Sequence, residues 1–178
     1  MYRMLKKALF LDRDGVLNID TGYLYEPKDW RFMPGIFEVL RWFKERDFLL
    51  LLVTNQSGIH RGYYTMSDFI EVSLFMQREL KRELGFGLDQ IYFCPHTPKE
   101  ECSCRKPLSG MILQGIKEFD LSASDSWLLG DKSSDIKAAK GAGIGHSVLL
   151  SALEEEGEKP TFRVDSLSCL SQILQNHS

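Results

Sequence analysis

The sequence predicts a three-layer α/β/α fold built around a central parallel sheet. Two observations carry this. Short apolar runs that read as strands alternate with segments of helical period, the pattern of a parallel sheet covered by helices on both faces. The strongest run, FLLLLVTNQ (48–56), is apolar on both faces, as a strand buried on both sides must be. With 178 residues, 43% hydrophobic and 26% charged, the chain suits one soluble globular domain over 1–178 that buries its core without disulfide staples.

The elements follow in order. KALFLD (7–12) is a buried strand ending in a carboxylate, and NIDTGYLYEPKDWRF (18–32) reads as loop with a short hairpin. Pro34 opens a helix whose stripe is Ile36, Val39, Leu40 and Phe43, since proline is tolerated in a first turn. After the 48–56 strand, Thr65 or Ser67 caps a helix to about Leu84, with Ile70, Leu74, Leu80 and Leu84 on its apolar side and Gly85 past its end. QIYFC (90–94) is a strand, and Pro107 starts a helix carrying Met111, Leu113, Ile116 and Phe119. SWLLGD (126–131) is a strand, SSDIKAAKGAG (133–143) a helix and HSVLL (146–150) a strand. EEEGEKP (154–160) is a solvated connection before a terminal helix after Asp165.

Composition narrows the class. A formal net charge of −3, with no basic groove or stacking series, argues against a nucleic-acid binder. The apolar run near the N-terminus is broken by Asp12, Arg13 and Asp14, too early for a signal peptide, and no stretch could span a bilayer. A cytosolic, membrane-free protein acting as a monomer is the expectation. There thiols stay reduced and clustered cysteines read as metal ligands.

In parallel sheets ligands gather at the carboxyl ends of the strands. Here those ends deliver Asp12-Arg13-Asp14-Gly15, then Thr54-Asn55-Gln56-Ser57, then Arg105-Lys106, then Gly130-Asp131-Lys132 with Asp135 a turn beyond. Taken singly, the first is equally an acidic turn and the second an ordinary Asn/Ser turn. Together, in this order, they resemble the four motifs of the haloacid dehalogenase (HAD) superfamily phosphatases: DRDG for DxDG, Thr54, Lys106 and GDKSSD. Val16 stands where many members have threonine, a position the chemistry does not require.

The resemblance implies a Rossmann-like HAD fold and a phosphatase mechanism. Asp12 would be the nucleophile forming an aspartyl-phosphate, and Asp14 the general acid and then base. Thr54 and Lys106 would stabilise the phosphoryl oxygens. Mg²⁺ would be held by Asp12, Asp131 and the backbone carbonyl of Asp14. Asp135 would orient Lys106 or a metal-bound water. Too few residues separate Asp12 from Thr54, or Thr54 from Lys106, for an inserted cap domain. Specificity should then come from loops 18–32 and 56–65 and the cysteine segment.

That segment, CPHTPKEECSCRKP, places Cys94, His96, Cys102 and Cys104 in one loop (94–104). Three thiols and an imidazole make a closed tetrahedral set, the usual composition of a structural Zn²⁺ site. Without a C-x-x-C at a helix start, a redox role is weaker. Cys169 reads as a small core residue, and His60, His146 and His177 show no partners. CPH followed by CxCRKP resembles the zinc-containing subgroup of the superfamily that acts on heptose bisphosphate or histidinol phosphate. LNIDTGYLYEP and TNQSGIHRGYYT favour the first, which implies removal of the 7-phosphate of the heptose in the supply of lipopolysaccharide and other surface glycans. By carry-over Asp20, Thr21, Gly22, Tyr23, Asn55, Gln56, Ser57, Arg105 and Lys132 would touch the phosphorylated sugar, with Arg105 suited to a bidentate grip on the second phosphate. A histidinol-phosphate phosphatase and a catalytically silent phosphate- or zinc-binding module are the competing readings.

Overall fold

The computed structural model describes residues 5–152 and 157–176. Residues 154–156 of the connection at 154–160 lie outside these, as does His177. Six strands form one sheet: β1 (Lys7–Leu11), β2 (Phe48–Asn55), β3 (Gln90–Cys94), β4 (Trp127–Gly130), β5 (His146–Leu150) and β6 (Phe162–Val164). Their order is β3-β2-β1-β4-β5-β6, and every pairing is parallel. Helices α1 (Ile36–Lys44), α2 (Met66–Leu84), α3 (Gly110–Phe119), α4 (Ser133–Gly141) and α5 (Leu167–Asn176) flank it. A 3-10 turn at Pro27–Asp29 and α1 are the elements between β1 and β2, so no cap domain is inserted there.

The pleat divides the core. Leu9 and Leu11 of β1 and Leu50 and Leu52 of β2 pack with Val39, Phe43, Met76 and Leu170 from α1, α2 and α5. Their neighbours Ala8, Phe10, Leu51 and Val53 face Met111, Ile112, Ile136 and Ala139 from α3 and α4. This two-sided burial is why the strands read as continuous apolar runs. Register then aligns the functional ends: Leu11 lies opposite both Leu52 and Leu129, so the residues after β1, β2 and β4 emerge along one edge.

Several expectations need correction. The buried face of α2 is Phe69, Val72, Met76 and Leu80, an i, i+3, i+7, i+11 stripe, whereas Ile70 and Leu74 are exposed. The cap is Thr65: its hydroxyl accepts from the Asp68 backbone N–H at 3.2 Å, while the Asp68 carboxylate accepts from the Thr65 N–H at 2.7 Å. Helix α1 starts after Gly35, which sits at φ 85°, so Pro34 belongs to the preceding turn. Helix α3 begins at Gly110 rather than Pro107. The intervening residues form a turn, with the Leu108 N–H donating to Arg105 O at 2.8 Å and the Gly110 N–H to Ser103 O at 3.1 Å. Leu113 of α3 is exposed. Cys169 packs partly buried against the core. Strand β6 was not anticipated.

Candidate active site

The DRDG turn is shaped by glycine. Gly15 adopts φ +84°, and a Cβ there would collide with the Asp131 carboxylate, so the fourth residue lets the β1 and β4 ends close on each other. Asp12 is tied in by its backbone N–H, which donates to Leu129 O at 3.0 Å, and its Oδ1 accepts from the Arg13 N–H at 2.7 Å.

Lys106 reaches this point from the far side. Its ammonium lies 3.0 Å from Asp12 Oδ1 and 2.6 Å from Asp135 Oδ1, and donates to Val53 O at 2.7 Å. All three side chains are buried. Burial alone would lower the Lys106 pKa, but the two carboxylates overcome it and push it up. Burial pushes Asp12 up to about 6 against the opposing pull of Lys106. Asp131 rises to about 7, through burial and then the neighbouring Asp12. Asp135 works twice: Oδ2 accepts from the backbone N–H of Asp131 at 3.2 Å and Lys132 at 3.0 Å, fixing the start of α4, while Oδ1 holds Lys106. Gly130 leaves room for that carboxylate.

Carboxylate oxygens of Asp12, Asp131 and Asp135 lie within 4.8 Å of one another. Buried Asp131 Oδ1 has no hydrogen-bond partner, and Asp12 and Asp131 are pushed up by burial first and by neighbouring carboxylates second. An oxygen-rich set short of positive charge fits a hard cation such as Mg²⁺.

Asp14 is held by a fork. Arg13 Nε and Nη2 donate to Oδ1, each at 3.1 Å, and Asn18 Nδ2 donates to it at 3.1 Å. Gln56 Nε2 donates to Asp14 Oδ2 at 3.0 Å and to Thr54 Oγ1 at 2.8 Å. Asn55 is committed differently, its amide bridging the Lys106 backbone N–H and C=O, both at 3.0 Å, so that β2 clamps the lysine segment.

A cavity of about 480 Å³ opens over this centre, lined by Asp14, Asp20, Gly22, Tyr23, Asn55, Gln56, Ser57, Tyr64, Arg105, Lys106, Lys132 and Ser134, with Pro98 and Pro107 at its side. All three anticipated loops contribute. Thr21, Asp12, Thr54 and Asp131 are not in its wall. Lys132 leans toward Asp20 and Asp131, at 3.9 and 3.8 Å. Arg105 Nη1 donates to the His96 backbone carbonyl at 3.0 Å.

That bond joins the cavity to the thiol loop. Cys94, His96, Cys102 and Cys104 offer ligand atoms within 4.8 Å of one another, and the cysteines are free. His96 Nδ1 is 3.3 Å from the sulfurs of Cys94 and Cys104, and Cys94 Sγ is 3.8 Å from Cys102 Sγ. Ligands about 2.3 Å from a tetrahedral zinc stand about 3.8 Å apart, so the set has the size zinc needs. Two histidines expected to lack partners have them. His60 Nδ1 is 2.8 Å from Glu100 Oε1 with its ring against His96, and His146 stacks on Trp127 at 4.6 Å. Sequence reasoning passed over Arg13, Asn18 and Tyr64. Arg13 held only the variable place in DxDG, and Tyr64 lay in the RGYYT stretch with nothing to separate it from Tyr63.

A family model described as "HAD-hyrolase-like" matches residues 103–170. The chain is 51% identical over 144 residues to the D-glycero-beta-D-manno-heptose-1,7-bisphosphate 7-phosphatase of Helicobacter pylori (strain ATCC 700392 / 26695), covering 81% of this chain and 83% of the relative. It is 47% identical over 155 residues to the D-glycero-alpha-D-manno-heptose-1,7-bisphosphate 7-phosphatase of Campylobacter jejuni subsp. jejuni serotype O:2, covering 87% and 88%. Its backbone is similar to the crystal structure of D,D-heptose 1.7-bisphosphate phosphatase from B. bronchiseptica complexed with magnesium and phosphate. The TM-score is 0.86 at 29% identity, over 97% of this chain and 99% of that one.

Proposed function

The chain belongs to the HAD-like hydrolases, among the heptose-1,7-bisphosphate 7-phosphatases, and on that premise we propose how its site removes the 7-phosphate. It is a phosphoric monoester hydrolase. The observation that carries the mechanism is the buried Asp12–Lys106–Asp135 chain beneath a cavity lined by Asp14, Arg105 and Lys132.

A carboxylate of Asp12 attacks phosphorus. The new Asp12 O–P bond forms as the bond from phosphorus to the sugar O7 breaks, and the Asp14 proton passes to O7, which leaves as a hydroxyl. In the second half a water oxygen bonds to phosphorus, its proton goes to Asp14, the Asp12 O–P bond breaks and phosphate departs. Lys106 and the Thr54 hydroxyl hold the equatorial oxygens. Asp135 keeps Lys106 aimed and charged. Asp12, Asp131 and the Asp14 carbonyl would hold Mg²⁺, which supplies positive charge to keep the crowded carboxylates ionised and to neutralise the phosphate dianion. Cys94, His96, Cys102 and Cys104 would hold a structural Zn²⁺ that fixes the loop leading into Arg105 and Lys106. Arg105 and Lys132 face the cavity as the cations for the non-reacting phosphate. In this reading the enzyme works as a cytosolic monomer. No helix among the described residues is long and apolar enough to cross a membrane.

Relatives named for both anomers make the substrate test specific. We expect kcat/KM on heptose 1,7-bisphosphate, assayed as separate α and β anomers with Mg²⁺, to exceed that on histidinol phosphate by at least about 100-fold, because a cation pair built for a second phosphate is left unmatched by the smaller substrate. Equal or reversed preference would overturn the assignment.

A further inference from the structure

The amide of Gln56 is held from behind. Its Nε2 donates to Asp14 Oδ2 at 3.0 Å and to Thr54 Oγ1 at 2.8 Å, while its Oε1 accepts the phenolic hydrogen of Tyr64 through a short bond. Gln56, Thr54 and Tyr64 are all buried, so the bonds among them are shielded from competing water, while the bond to Asp14 is partly buried at the cavity wall. The Tyr64 ring is locked in turn: it stacks on Tyr25 at 6.0 Å and 11°, and lies against Gly58, where any Cβ would collide with it. Burial also pushes the Tyr64 hydroxyl up to about 12, so it stays a proton donor throughout the neutral range.

The logic of donors and acceptors fixes the rest. Oε1 can only accept, and with the Tyr64 O–H donating to it in this arrangement the other end of the amide faces forward. The forward end is then NH₂, which gives one hydrogen to Asp14 and one to Thr54. Because Thr54 Oγ1 accepts from Gln56, its own hydrogen is free to be donated elsewhere.

From this geometry we infer that Tyr64 is a positioning residue: acting through Gln56, it orients the Asp14 carboxyl that protonates the leaving oxygen. The inference rests on the role proposed above for Asp14. Tyr64 touches neither phosphorus nor the transferred proton. Without its hydroxyl, Gln56 Oε1 is left buried and unpaired, and the amide turns to satisfy it at the expense of Asp14.

The test is Tyr64→Phe, which keeps the ring, its stacking and the fit over Gly58. Two substrates are compared by kcat/KM, which reports the steps through transfer to Asp12. The heptose bisphosphate leaves as an alkoxide and needs a proton, whereas p-nitrophenyl phosphate leaves as a stable phenolate and does not. We expect a loss of about tenfold on the sugar, the scale of one misdirected buried hydrogen bond, and under about threefold on p-nitrophenyl phosphate. Melting temperature and metal content, measured in parallel, should match the parent. Asp14→Asn separates the two layers of the argument. It should show the same asymmetry on a larger scale, and Tyr64→Phe added to it should cost nothing more. If Asp14→Asn is asymmetric but Tyr64→Phe loses nothing, loses equally on both substrates or adds to Asp14→Asn, the positioning role is wrong and the mechanism stands. If Asp14→Asn itself lacks the asymmetry, the general-acid assignment fails.

Discussion

The carboxylate centre and the thiol loop meet at Arg105 and Lys106, yet they are held in place by opposite means. Asp12 and Asp131 follow directly on β1 and β4, and Asp135 lies in the first turn of α4, so the sheet and one helix cap place these carboxylates before any ligand arrives. The loop from Pro95 to Ser109 contains no helix or strand, and beyond a few turn hydrogen bonds it is tied down by side chains such as Asn55, Arg105 and the Cys/His cluster. The first region is overdetermined by backbone and short of positive charge. The second has less backbone structure and gathers three thiols and an imidazole that could hold a metal ion. Pre-organisation of the carboxylates thus comes from the strands and a helix cap, and the loop delivers the cations Arg105 and Lys106 to them.

The largest expected effect comes from removing the cation the two regions share. Lys106→Met leaves Asp12 and Asp135 buried without their counter-charge. We expect kcat to fall by about 10³-fold and stability to fall by about 3 kcal/mol, read from steady-state kinetics and urea unfolding. A variant that lost activity while keeping full stability would mean the lysine is not structurally bound into the centre.

Cys102→Ser acts on the loop alone. It should lose zinc, measured by atomic absorption, and lower kcat/KM on the bisphosphate by about 10- to 100-fold as Arg105 and Lys106 lose their anchor. Loss of zinc with normal kcat/KM would break the comparison, because the metal would then have no supporting role.

The smallest effect concerns charge. Without Mg²⁺, burial pushes Asp12 up to about 6 and Asp131 up to about 7 from an ordinary value of 3.8. Both bind protons more tightly folded than unfolded, so folding takes up protons and stability declines as pH rises from about 4 to about 7, then levels off. Melting temperature should drop by about 5 °C across that window, and Mg²⁺ added at pH 7.5 should restore much of it. A melting temperature that rises across the window would contradict the raised affinity of these buried carboxyls for protons.

How much of this was legible in the sequence depends on how local the cause is. The runs KALFL, FLLLLVTN and HSVLL declare themselves because burial on both faces leaves no polar alternation. FRV of β6 is only three residues at a sheet edge, too short to show any pattern. Helix α2 has apolar residues on more than one side, so Ile70 and Leu74 looked equivalent to Phe69 and Met76 until packing chose between them. The clustering of Cys94, His96, Cys102 and Cys104 and the gathering of the motif residues were readable since each follows a strand or sits in one short loop. Gln56 was not, because in sequence it is an ordinary turn residue suited to touching substrate. Only the tertiary fold reveals that both ends of its amide are engaged internally, one of them by Tyr64. The partners of His60 and His146 are likewise products of tertiary contact.

The central claim is that Asp12 carries the phosphoryl group between the two half-reactions. Rapid acid quench during turnover of the heptose bisphosphate, followed by mass mapping of peptides, reads this directly. The account predicts phosphate on the peptide containing Asp12, appearing within the first turnover and absent from folded Asp12→Asn, which should also lose at least about 10⁴-fold in kcat. Continued hydrolysis by folded Asp12→Asn, or a phosphorylated peptide that excludes Asp12, would contradict it.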